Sequence, residues 1–344
     1  MNPGGWQRRA KRGAVAALRL GVMVGAIAYL GRGIAWADVG KILRGASLPL
    51  LAAVTALNAA MMAAKSWRLQ LLLERRPSLA ASFLAKLTTS ALNNVTPFRG
   101  GDVARIWMLE RHAGITKAVA AVVALLEHVF DLVALSILAS FAARLFPAQH
   151  WAAVAAPIVF LVTGTGLWLL RRAAKGAAAT APAALAAPGV PATKPRGLAG
   201  RLRALGAHLA PGVRALADGG ILRTSLALSF LGWAIESVMV VLTARAIGLP
   251  MTPPFAIIVL LGLNAALALP SMPASAGAFE AGVTLVLILA GVPKGQAVAF
   301  AVLYHLVQVV PVTVAGVAVI SRVGFTLRGL AAREPRPAEA TPAP

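Results

Sequence analysis

The sequence predicts an all-α polytopic membrane protein, with about six full transmembrane helices plus two broken or re-entrant hairpins in an approximate inverted repeat. Three observations carry that prediction. Of 344 residues, 59% are hydrophobic and 13% charged, with a mean hydropathy of +0.78, whereas soluble domains are about 45–50% apolar and about 25% charged. The apolar residues fall in blocks long enough to span a bilayer as helices, without the alternation of a transmembrane barrel. The basic residues, 33 Lys and Arg against 11 Asp and Glu for a net charge of +22, lie mostly between the blocks. That placement is the positive-inside pattern of cytoplasmic loops and attracts anionic lipid, so no nucleic-acid partner is expected. The chain contains no cysteine, which excludes disulfides, thiol catalysis and cysteine metal sites.

Each element follows in order. Arg8, Arg9, Lys11 and Arg12 precede an apolar run over 13–30, read as a first span rather than a signal peptide because everything downstream is also membrane-like. Arg19 within it can snorkel to the interface. Residues 31–47 read as a short external loop, and 48–64 as the second span. Lys65, Arg68, Arg75 and Arg76 then mark a cytoplasmic flank. Further spans are read over 118–141, 152–170, 221–244 and 297–320. The halves are therefore 1–170 and 218–325, separated by a basic, Ala/Pro-rich cytoplasmic linker at 171–217 and followed by a cytoplasmic tail at 326–344. Pro182, Pro188, Pro191 and Pro195 make the first part of the linker a flexible segment; its second part is a basic surface helix or a solvated strip.

Two apolar stretches are too short for full spans. Residues 79–92 end in the polar run Asn93-Asn94-Val95-Thr96-Pro97-Phe98-Arg99-Gly100-Gly101-Asp102. Both flanks of this first half carry cytoplasmic charge, and two spans already separate them, so 79–112 should enter and return on the same side. Its outgoing arm, or an interfacial helix, is 102–112. The second stretch, 255–292, is interrupted by Pro270-Ser271-Met272-Pro273-Ala274-Ser275-Ala276-Gly277. Crossing parity leaves it as a re-entrant hairpin or two short crossings. Gly/Pro-interrupted segments in corresponding positions of two halves point to a transporter-like binding site.

Charged residues inside spans are costly and face a bundle interior. Glu127 and Asp131 share one helix face and call for cations, with Arg99 and Arg105 as the candidates; His128 lies beside them. Glu236 sits mid-span, His305 and Gln308 share a face, and Glu280 follows the second break. Together Glu127, His128, Asp131, Glu236, Glu280, His305 and Gln308 form a candidate polar path. Arg99, Arg105 and Arg111 are candidates to meet a phosphate, which arginine grips with a planar fork. No His-x-x-x-His pair, P-loop or Gly-x-Ser-x-Gly occurs, so no metal site, cofactor or catalytic residue is expected.

The two broken segments resemble the transmembrane region of the lysylphosphatidylglycerol synthase family, the flippase-like membrane proteins. The resemblance rests on the run from Asn93 to Arg105, on Glu127 and Asp131 four apart, and on a Pro/Gly break ending in Glu280, followed by Tyr304-His305 and the stretch 311–316. Asp102 stands where many members have Glu, and His128 where Arg is common. The resemblance implies the lipid-translocating half of that system, without the aminoacyl-transferring domain. Asn93, Asn94, Pro97, Arg99, Gly100, Gly101, Asp102 and Arg105 would hold a lipid headgroup, anionic or phosphate-bearing. The expected lipid classes are aminoacyl-phospholipids, polyprenyl-linked lipids and hopanoid-related lipids. The expected setting is a bacterial inner membrane with both termini cytoplasmic, alongside a lipid- or glycan-synthesising enzyme as a potential partner; oligomeric state is open. The alternatives are an intramembrane transferase acting on polyprenyl phosphate and a non-transporting partner of a synthase.

Overall fold

The computed structural model describes residues 34–75, 77–96, 100–146, 150–184, 214–268 and 273–323, with single residues 21, 25, 28 and 32 before them. Among these residues the chain forms ten α-helices and two single 3₁₀ turns: α1 Trp36–Arg44, α2 Leu48–Leu72, α3 Leu79–Val95, α4 Gly100–Ala113, α5 Lys117–Ala143, α6 His150–Ala184, α7 Gly219–Ala246, α8 Pro253–Leu267, α9 Ala278–Leu289 and α10 Lys294–Val323, with turns Arg214–Leu216 and Pro273–Ser275. Five are long and apolar enough to cross a membrane: Leu48–Leu72, Lys117–Ala143, His150–Arg172, Gly219–Ala246 and Lys294–Arg322. The sixth expected span, 13–30, lies outside the described residues except for positions 21, 25 and 28.

Helix starts follow local chemistry. Asp218 caps α7 by accepting from the backbone N–H groups of Gly220 and Ile221, at 2.6 and 3.2 Å. Ser78 caps α3 by accepting from the Ala81 N–H, and prolines open α2 and α8, where a missing N–H costs nothing.

Three boundaries differ from the sequence reading. The stretch expected as an external loop contains α1, an amphipathic helix with Val39 buried and Trp36 exposed. It packs against α10. α2 does not stop at residue 64 but runs two more turns to Leu72, because Arg68 and Lys65 find partners or a cavity instead of an interface. α6 continues through the expected flexible start of the linker to Ala184; its alanine-rich composition sustains a helix. The remainder of the linker to residue 213, and the tail, lie outside the described residues.

The main core joins α2, α5, α7, α8, α9 and α10 around Phe300, Tyr304, Met239, Ile258 and Leu260. A second cluster gathers Leu69, Ile115, Leu126, Phe130 and Leu216 where α4, α5 and the Arg214–Leu216 turn meet. α3 and α4 pack antiparallel, with the Asp102 backbone N–H donating to Asn93 Oδ1 at 3.3 Å. The approach is close enough that a Cβ on Gly101 would lie 2.0 Å from the Thr89 carbonyl oxygen. α8 and α9 make the second hairpin and touch at Gly282, where a Cβ would lie 2.6 Å from Ala266 Cβ. Small residues at such crossings let membrane helices approach backbone to backbone.

The two broken segments meet. α3 lies along α10, with Leu87 and Ala91 against Gly316 and Asn94 Nδ2 donating to Thr313 Oγ1 at 2.8 Å. The Pro273–Ser275 turn of the second break packs on α3 as well.

Candidate functional site

A polar cavity of about 300 Å³ opens between α2, α3, α4, α5 and α10. Its basic side chains are Lys65, Arg68, Lys86 and Arg105, its acidic ones Asp102, Glu127 and Asp131, so the wall carries four cations against three carboxylates. Asn58, Thr89, Ser90, Asn93, Asn94, His128 and Gln308 add neutral polar groups.

Two carboxylates on one face of α5 organise the charges. Glu127 is 3% exposed. It receives Lys86 Nζ at 2.6 Å on one oxygen and Arg105 Nη1 at 2.6 Å on the other. One turn on, Asp131 is held by a two-pronged contact from Arg68, Nη1 to Oδ1 at 2.5 Å and Nη2 to Oδ2 at 3.0 Å. Arg68 is 1% exposed and also donates to Ser229 Oγ on α7. Trp233 Nε1 donates to the Asp131 backbone oxygen at 2.7 Å, fixing α5 against α7. Burying such pairs is tolerable only when partners are close and both sides are satisfied.

Some donors remain over. Among the described residues, Arg68 Nε and Arg105 Nε are buried without a hydrogen-bond partner. Lys65 is half-buried on the cavity wall, its stem against Gly232, and makes no direct ion pair among the described residues. Its charge acts on both Asp131 and Glu236.

The sequence-predicted residues therefore divide. Asn93, Asn94, Asp102, Arg105, Glu127, His128, Asp131 and Gln308 all line the cavity. Gly100 and Gly101 start α4 and serve its close approach to α3 rather than the wall. Pro97 and Arg99 lie outside the described residues. Arg111, expected at the phosphate, instead lies over the Trp107 ring at 5.2 Å and is not on the cavity wall. Glu236 is 9% exposed and accepts a long contact of 3.4 Å from Gln308 Nε2, which connects it to the wall. Glu280 and His305 form a separate pair at the second break, with His305 Nδ1 at 2.5 Å from Glu280 Oε1.

Sequence reasoning missed Lys65, Arg68 and Lys86. Lys65 and Arg68 read as topological charge because they follow an apolar block, and Lys86 passed unremarked inside a short apolar stretch. A signal was present: Lys65 and Arg68, three apart, share one face of a helix, and Lys86 is a charge inside a membrane segment.

A family model described as the lysylphosphatidylglycerol synthase TM region matches residues 16–316. The chain belongs to this family. The match spans every residue on the cavity wall and both broken hairpins, as the resemblance at the two interrupted segments implied, and it makes this chain a multi-pass membrane protein acting in lipid handling. No curated protein and no solved structure gives a match.

Proposed function

We propose that the chain is a flippase-like protein that takes a lipid with a phosphate-bearing headgroup into the cavity and exposes it in turn to the two leaflets. The observation that carries this reading is the cavity's unbalanced donor set. Lys65 has no direct ion pair among the described residues, and the wall carries four basic side chains against three acidic ones. A phosphate diester brings the anion that this surplus of cations lacks, and Lys65 can donate to it. Asn93 and Asn94 on α3 and Asp102 on α4 would contact the polar remainder of the headgroup, an aminoacyl, sugar or polyol group. The acyl or prenyl chains would lie against the exposed apolar faces of the helices, in bilayer.

The chain is read as a transporter and not as an enzyme, because Glu127, the nearest candidate base, is engaged by two cations. Transport would run downhill or with an ion. The expected setting is a bacterial inner membrane with both termini cytoplasmic, and a lipid- or glycan-synthesising enzyme is the natural supplier of the headgroup.

The test is purified protein in vesicles carrying headgroup-labelled phosphatidylglycerol, scored by quenching of the outer leaflet. Movement above protein-free vesicles is expected, lowered by Arg105→Lys. Background-level movement of phosphatidylglycerol, an aminoacylated phospholipid and a polyprenyl phosphate alike, with and without a pH gradient, refutes transport.

A further inference from the structure

We propose that His305 and Glu280 together bind one proton, taken up from and released to water, and that this proton fastens the break of the second hairpin to α10. The proposal concerns a place apart from the cavity and stands whatever the cavity holds.

His305 is buried on α10. Its Nδ1 lies 2.5 Å from Glu280 Oε1 and its Nε2 lies 2.9 Å from the Ala274 carbonyl oxygen. Both neighbours are acceptors. A neutral imidazole carries one N–H and a carboxylate none, so two contacts have one proton between them. A second proton satisfies both. It resides on the Nδ1–Oε1 pair, as imidazolium facing carboxylate or as neutral ring facing carboxylic acid, and the proton count is the same. Without it, one contact sets lone pair against lone pair.

Neither partner can turn away freely. Phe279 stacks on the His305 ring with centroids 4.2 Å apart and planes 9° apart. The other oxygen of Glu280 accepts from the Gly277 backbone N–H at 2.8 Å. The segment held between them is conformationally costly. Ala274 and Ser275 both adopt left-handed backbone, with φ of 55° and 59°, where an L-residue's Cβ crowds the following carbonyl oxygen. Such a turn persists only when its surroundings hold it. The same turn packs on α3, which carries cavity residues, so release of the break would reach the cavity wall.

Few other charges bear on the pair. From α9 the facing group is Glu280 itself. From α7 it is Glu236, one turn along α10, bonded to Gln308 and beside Tyr304. From α2, Lys65 acts on Glu236, while α3 directs Lys86 to Glu127. On α1, Asp38 and Lys41 pair with each other in the open.

A nitroxide on Ser275→Cys, the chain's single cysteine, reports the break in lipid nanodiscs. Its mobility is expected to rise about twofold from near pH 5 to near pH 9 as the shared proton is lost. In Glu280→Gln the amide N–H donates to Nδ1 while the neutral ring donates to Ala274, so both contacts are made without a titrating proton. The label should then stay immobile and lose its pH response. A parent label indifferent to pH, or a Glu280→Gln label that follows the parent, overturns the proposal. Should Glu280→Gln fail to fold, the ¹⁵N resonances of the His305 ring in the unsubstituted chain decide. Titration in step with the label supports the shared proton, and a ring unchanged over that range refutes it.

Discussion

Replacing Glu127 by Gln isolates the charge that holds the first hairpin to the core. The side chain keeps its shape, while Lys86 from α3 and Arg105 from α4 lose the carboxylate each contacts at 2.6 Å. The cluster of Lys86, Arg105 and Glu127 then goes from a net charge of +1 to +2. Removing one partner of a buried pair costs about 3–5 kcal/mol. The adjoining cavity admits water, which favours the lower end. At about 2 °C per kcal/mol, a loss of about 3 kcal/mol lowers the melting midpoint by about 6 °C. Fluorescence-detected thermal unfolding in detergent measures this directly. Adding Lys86→Met to Glu127→Gln returns the cluster to +1, and the double variant should regain more than half of the loss. A Glu127→Gln protein that melts with the parent, or a double variant that melts lower than the single one, would show that Glu127 is not the counter-ion joining α3 and α4 to α5.

Lys65→Gln should leave stability within about 0.5 kcal/mol, as for substitutions that break no packed contact. It should weaken binding of anionic lipid in a vesicle-capture assay about tenfold, the effect of one charge-assisted bond. Arg105→Lys keeps the charge beside Glu127 but loses the planar fork and its Nε–H, so lipid movement should fall at unchanged protein yield; full activity would reduce Arg105 to a structural cation. Gly101→Ala should cost about 1–3 kcal/mol, because its Cβ would meet the Thr89 carbonyl oxygen at 2.0 Å and the Asn93 nitrogen at 2.9 Å, both in or beside backbone that cannot rotate aside. A normal melting midpoint for Gly101→Ala would refute the close approach of α3 and α4.

Composition and hydropathy by themselves determined the class. A chain with 13% charged residues cannot cover itself in water, and its apolar blocks coincide with helices α2, α5, α6, α7 and α10. The two interruptions were legible because Pro and Gly do not continue a buried helix without help from their surroundings. The face shared by Glu127 and Asp131 follows from helical spacing alone, as does the need for cations opposite them. Tertiary structure decided which cations answer. Arg68 reaches Asp131 across 63 positions and Glu236 meets Gln308 across 72, separations over which no local pattern operates. It also decided that Lys65 and Arg68 belong to a cavity rather than to an interface. A basic residue after an apolar block reads the same in sequence whether it snorkels to lipid headgroups or turns inward to a buried carboxylate. Only the packing of α2 against α7 and α5 distinguishes the two, by bringing Asp131 within 2.5 Å of Arg68.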